Sequence, residues 1–161
     1  AFTLNPHNGD RSQVAIDASW GLGEAVVSGE VTPDNFLVDK VLREIVRRII
    51  SPKTIEYRVN GEQVEKVDVE PERQAVQCLS DEEVVAVAMM ARRAEKYYGK
   101  PQDVEWAIDK HLPEGENVIL LQARPETVWS RKEVKPISQE AYDPMRSIVS
   151  TLISPLHTRD P

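Results

Sequence analysis

Asp103-Val104-Glu105-Trp106-Ala107-Ile108-Asp109 and Val118-Ile119-Leu120-Leu121-Gln122-Ala123-Arg124-Pro125 are separated by residues 110–117, which carry Pro113 and Gly115. Each segment alternates as a half-buried strand does and the stretch between them reads as a loop, so the pair predicts an antiparallel hairpin. With Asp109 paired to Val118, the register sets Glu105 opposite Gln122 and Asp103 opposite Arg124. The side-chain period of two then gathers those four on one face and puts Val104, Trp106, Ile108, Ile119, Leu121 and Ala123 on the other. A carboxylate, an amide oxygen and a guanidinium side by side match the needs of a magnesium-bound polyphosphate. Hard oxygen donors hold the metal, and a planar cation takes phosphate oxygens. The same alternation also suits an amphipathic hairpin whose polar face only meets water, and Arg124 with Asp103 could equally be a surface pair.

Immediately before this hairpin, Ser80-Asp81-Glu82-Glu83 has the capping-box spacing, with Ser80 as N-cap and Glu83 at N3. It opens a predicted helix that runs to about Tyr98 and stops at Gly99. Val84, Val87, Ala88, Ala91, Ala94 and Tyr98 supply its inner stripe, while Arg92, Arg93 and Lys96 suit water or the negative end of the helix dipole. Toward the N-terminus, residues 14–18 read as a buried strand running into Gly21-Leu22-Gly23-Glu24, and residues 24–28 as a helical turn closed by Gly29. Strands are expected over 36–42, 45–50 and 54–59. The turn pair Asn60-Gly61 joins the last of these to a strand over 63–69. Glu56, Arg58, Glu65 and Asp68 are expected on an exposed, strand-rich surface that carries no chemistry. Beyond the main hairpin, the charged stretch with Pro136 reads as a linker. Asp143-Pro144 opens a short helix to about residue 154. The expected division is therefore 1–130 for the domain and 131–161 for a linker with a short C-terminal helix.

At 161 residues, 40% hydrophobic and 29% charged, the composition is that of a soluble globular domain with a real core. The formal charge of -7 argues against unspecific nucleic-acid binding, which needs a basic surface, but leaves ATP open. The longest apolar run, 84–91, is too short to span a bilayer, and the start has no signal-peptide pattern, so a cytoplasmic location without membrane partners is expected. Cys78, the single cysteine, allows no internal disulfide and no cysteine-based zinc site. His7, His111 and His157 fall in no triad or metal spacing. Ser19, Ser28 and Cys78 lack a base at recognisable spacing, so no catalytic nucleophile is expected.

Three blocks carry a family resemblance. Asp103-Val-Glu-Trp-Ala-Ile-Asp followed by Leu121-Gln-Ala-Arg-Pro-Glu-Thr127 resembles the end of the ATP-grasp nucleotide-binding domain of phosphoenolpyruvate synthase and pyruvate phosphate dikinase. Ala18-Ser-Trp-Gly-Leu-Gly-Glu-Ala-Val-Val-Ser-Gly-Glu-Val-Thr-Pro-Asp34 is similar to the glycine-rich segment of that domain, and Phe2-Thr-Leu-Asn-Pro6 to the strand before it. The resemblance covers the chain to about Ser130. It implies an α+β fold, the C-terminal portion of an ATP-grasp domain, with a mixed and mainly antiparallel sheet and one long helix.

It further implies ATP and Mg2+ as ligands, Glu105 and Gln122 as metal and ATP ligands, and Arg124 as a phosphate ligand. Asp103 and Glu24 are weaker candidates. In the family, ATP phosphorylates a histidine on a swivelling domain, from which the group passes to pyruvate; related members phosphorylate rifampicin, phenol or glucans. The implied partners are the other half of the ATP-grasp domain, a phosphohistidine domain and a pyruvate-binding domain. The chain begins without Met at a strand that lies mid-domain in the family, so a fragment, inactive alone, is expected. The alternative is a non-catalytic ATP-grasp-like binding module.

Overall fold

A computed structural model describes residues 1–113 and 115–129. The linker and helix expected over 131–161 lie outside the described residues. The order of elements is β1 (Gln13–Ala18), α1 (Glu24–Val27), β2 (Asp34–Asp39), β3 (Ile45–Ile49), β4 (Ile55–Asn60), β5 (Gln63–Asp68), α2 (Pro71–Gln74), α3 (Asp81–Tyr98), β6 (Gln102–Ile108) and β7 (Val118–Pro125). Among the described residues the strand pairings are all antiparallel: β1 with β2, β2 with β3, β4 with β5 and β6 with β7. The α+β reading with one long helix and mainly antiparallel sheet therefore holds.

The expected strand near Phe2 reduces to a single bridging residue, yet it organises the whole sheet. Phe2 bridges antiparallel to Ala15 on one side and to Asp103 on the other. Two antiparallel relations to one segment leave β1 and β6 parallel to each other, with Ala15 and Asp103 level. The Ala1 carbonyl accepts the Val104 amide, and the Thr3 amide donates to the Gln102 carbonyl, which extends the join on the β6 side.

Helix α3 begins as its sequence requires. Ser80 Oγ accepts the Glu83 amide at 3.1 Å, and Glu83 Oε2 accepts the Ser80 amide at 2.8 Å. Gly99 ends the helix in the left-handed region, at φ 69°. Val84, Val87, Ala88, Ala91 and Ala94 pack with Val14, Ile16 and Ala18 of β1, Phe36 and Val38 of β2, and Val104 of β6. Tyr98 departs from the expected inner stripe and is exposed, while Met90 is buried in its place. The last helical turn lies at the rim of the core, where the small Ala94 already closes the contact.

The β4–β5 hairpin turns at Asn60-Gly61 as expected, but its base is not the inert surface the alternation suggested. Glu56 is buried and accepts from Arg58 and from Arg73 Nη1, the latter at 3.3 Å. Arg73 belongs to α2, a short helix with Pro71 in its first turn that no periodic pattern announced. Strand β2 starts earlier than the predicted strand because Asp34 is fully buried and pairs across to Ala18. Asp34 accepts Lys53 Nζ at 2.5 Å and the backbone amides of Ser51 and Cys78, both at 3.0 Å. That knot fastens the start of β2, the approach to β4 and the approach to α3 at one point.

Candidate functional site

The β6–β7 register places the predicted residues as the alternation required at one end of the hairpin and not at the other. Asp103 lies opposite Arg124 and Glu105 opposite Gln122. The register then shifts: Trp106 pairs with Leu120, Ala107 with Ile119 and Ile108, not Asp109, with Val118. Leu121 is the extra residue of a β-bulge, which bends a strand locally and exchanges the faces beyond it. Val118, Trp106, Ile108 and Ala123 pack toward the core, whereas Leu121, expected inside, is exposed. The Asp109 amide still closes the loop by donating to the Asn117 carbonyl at 2.8 Å.

Because Val104 is buried against α3, alternation turns Asp103 and Glu105 to the other face of the sheet. Arg124 Nε donates to Asp103 Oδ2 at 2.9 Å, and Arg124 Nη2 stands 3.6 Å from Glu105 Oε1. The guanidinium is thus shared by two carboxylates on an open surface. The hydrogen bond to Asp103 raises the Arg124 pKa further, so this cation stays charged at any working pH.

The same face continues onto β1. Asp17 pairs with Asn35, whose Nδ2 donates to Asp17 Oδ1 at 2.9 Å. Phe2 bridges Ala15 on β1 and Asp103 on β6, and two residues farther along each strand Asp17 and Glu105 stand on that same face. Asp17 is therefore a near neighbour of the hairpin carboxylates that the sequence reading passed over. Its signal was a charged residue within a strand otherwise made of Val14, Ala15, Ile16 and Ala18.

Glu24, a weaker candidate, opens α1 and is exposed; among the described residues no hydrogen bond or ion pair joins it to the hairpin. The Gly21-Leu22-Gly23 segment does not offer all its amides to an anion, since the Leu22 amide donates to the Tyr57 carbonyl at 2.8 Å. Gly21 is needed there: it has φ +69°, and a Cβ would lie 2.3 Å from the Tyr57 oxygen. Desolvation by burial, followed by the nearby Asp34 carboxylate, pushes the Cys78 thiol up to about 12, which suits a structural cysteine better than a nucleophile.

Among the described residues, no group of three or more His, Cys, Asp or Glu side chains is placed to enclose a metal. The donor set of Glu105 and Gln122 nevertheless fits magnesium, which takes one or two protein oxygens and fills the rest of its octahedron with water and phosphate oxygens. Asp103 and Arg124 supply the flanking charges.

With this geometry in place, comparison with known proteins gives the family. Residues 1–144 match the family described as "Pyruvate phosphate dikinase, AMP/ATP-binding domain", and the chain belongs to it. Among individual relatives, phosphoenolpyruvate synthase of Aeropyrum pernix is 38% identical over 87% of this chain and 21% of its own length. The probable phosphoenolpyruvate synthase of Staphylothermus marinus is 40% identical over 92% of this chain and 20% of its own. That of Methanothermobacter thermautotrophicus is 45% identical over 78% and 18% respectively. The chain thus spans about a fifth of the length of these relatives. No helix among the described residues is long and apolar enough to cross a membrane.

Proposed function

We propose that this chain is the metal-side part of an ATP-grasp nucleotide site in a phosphoenolpyruvate synthase-like phosphotransferase. In that reading the whole protein uses Mg-ATP to phosphorylate a histidine on a swivelling domain and then pyruvate. The observation that carries it is the cross-strand register, with Glu105 opposite Gln122 and Asp103 opposite Arg124 on the face turned away from α3. Family membership and the names of the relatives support the same direction.

Glu105 and Gln122 would hold the magnesium ion through oxygen. Magnesium supplies charge neutralisation of the triphosphate. Arg124 is already oriented: Asp103 holds its Nε and Glu105 stands beside Nη2, which keeps the fork next to the proposed metal ligand, where phosphate oxygens would lie. No general acid or base is required of this chain. Phosphoryl transfer depends chiefly on placing the donor and screening its charge, with little covalent chemistry for the protein to do. Completing the site takes the opposite wall of the cleft, and the acceptor histidine comes from a further domain of the same or a partner chain; the 161 residues alone should not turn over.

The test is mutational and is made in the full-length protein. Glu105→Ala or Gln122→Ala should lower phosphotransfer by about a hundredfold or more while the fold persists. Trp106→Ala, on the core side, should lower the melting temperature and leave activity per folded molecule nearly intact. Activity surviving in both the Glu105 and Gln122 variants would remove this hairpin face from the site.

A further inference from the structure

Strands β1 and β6 run parallel, level at Ala15 and Asp103, with Phe2 between them. Two residues on, Asp17 and Glu105 project from the same face on either side of that gap. Among the described residues, the backbone hydrogen bonds across the gap are those of Ala1, Phe2 and Thr3, all at the level of residues 15 and 102–104. Farther along, at the end where both strands run out, the backbone does nothing to fix their separation.

A side-chain contact spans that end. Trp20 lies two residues beyond the end of β1, and Lys110 two residues beyond the end of β6. Lys110 Nζ stands 5.7 Å from the centroid of the Trp20 ring, and Arg73 Cζ stands 4.5 Å from it. The indole is tied down as well, since its Nε1 donates to the Arg73 carbonyl at 3.1 Å. Arg73 is in turn held by Glu70 Oε2 at 2.7 Å and by the buried Glu56. Among the described residues Lys110 makes no ion pair, and the aromatic face of Trp20 is the partner its charge meets.

We propose that Trp20, Arg73 and Lys110 form a cation–π brace that fixes the spacing between the β1 loop and the β6–β7 hairpin, and that Lys110 and Arg73 are positioning residues for the nucleotide site. This rests on the Mg-ATP reading above, in which the carboxylates of the two strands must keep a set separation around a bound polyphosphate. The ring's negative face attracts both cations, and Arg73 carries that tether back to the buried Glu56 at the base of the β4–β5 hairpin. The glycine-rich loop is thereby clasped from two sides, by Tyr57 through the Leu22 amide and by Lys110 through Trp20.

The experiment uses the full-length protein. Lys110 is exposed, so Lys110→Met should leave the melting temperature unchanged. Amide exchange over residues 19–24 should nevertheless quicken, and the KM for Mg-ATP should rise about three- to tenfold, the size of one partly exposed cation–π contact. Lys110→Arg keeps the cation and should return both values toward the parent's, which a purely steric role would not require. Unchanged exchange and unchanged KM in Lys110→Met would overturn the brace. Quickened exchange with an unchanged KM would overturn its positioning role. Glu105→Ala and Gln122→Ala, measured in parallel, separate the two ideas: activity retained in both refutes the Mg-ATP reading itself, whereas a silent Lys110→Met beside inactive Glu105→Ala and Gln122→Ala refutes the brace alone.

Discussion

Replacing Lys53 by Met should be the most damaging single change outside the hydrophobic core. Lys53 and Asp34 are both fully buried, with Nζ 2.5 Å from Oδ1, and Nζ also donates to the Ser51 carbonyl at 2.8 Å. Met matches the aliphatic stem but removes the charge, leaving the Asp34 carboxylate in the interior with the Ser51 and Cys78 amides and no cation. Removing one partner of a buried pair costs about 3–5 kcal/mol, because the remaining charge is desolvated and uncompensated. At roughly 2–4 °C per kcal/mol for a chain of this size, the melting temperature should fall by roughly 6–20 °C. Urea unfolding of the 161-residue chain, followed by far-UV circular dichroism, would measure it, with an unchanged slope showing that stability and not compactness has moved. The double variant Asp34→Asn/Lys53→Met removes both charges while an amide oxygen can still accept a backbone N-H, and it should be more stable than Lys53→Met alone. A loss below about 1 kcal/mol in the single variant, or no recovery in the double, would refute the claim that this knot fastens the β4–β5 hairpin to the sheet.

Gly21→Ala should loosen the glycine-rich loop, because the residue sits at φ +69° and the new Cβ would meet the Tyr57 oxygen at 2.3 Å; faster amide exchange at Leu22 is the readout. Ser80→Ala removes the capping-box acceptor and should cost about 1 kcal/mol in the same urea assay. Cys78 gives a pH prediction. Its thiol has a folded pKa of about 12 against an ordinary 9.0, so the folded state favours the neutral form. Its contribution is complete below pH 9 and is lost as pH rises toward 12. Native protein at pH 8 should accordingly resist thiol reagents that label the urea-unfolded chain, and equal labelling rates would refute the buried assignment.

Helix α3 was legible because its signals are local: a capping box, a period near 3.6 and a terminal glycine all lie within twenty residues of sequence. The pairing of Glu105 with Gln122 was legible because alternation is also local and both residues lie on the base side of the bulge, where the expected register holds. What escaped has a common cause in contacts that no period encodes. Glu56 looks like a solvent-facing strand residue until Arg73, seventeen positions on, is folded against it. Asp34 looks like a turn residue until Lys53 and the Cys78 amide reach it. Asp17 shows its place only when Phe2 brings β1 alongside β6.

The bulge at Leu121 shows how such a miss bears on the site. A strictly regular hairpin would keep the predicted pairing from Asp103 to Asp109 and would carry Ile119 and Leu121 into the core. The extra residue instead moves Val118 and Leu120 to the positions facing Ile108 and Trp106, so Val118 packs against the core at the tip while Leu120 and Leu121 are exposed. The polar residues at the base are unaffected, since the shift occurs on the tip side of Gln122. A bulge also sharpens local twist, and here it falls directly before the residue proposed to present its amide oxygen to magnesium. Deleting Leu121 would restore a regular ladder at the tip, or else drive Gln122 and Arg124 off the Asp103 and Glu105 face by a one-residue slip. The two results are separable. A regular ladder that keeps Mg-ATP binding in the full-length protein would make the bulge a packing device, whereas loss of binding with the fold retained would make it the feature that aims Gln122.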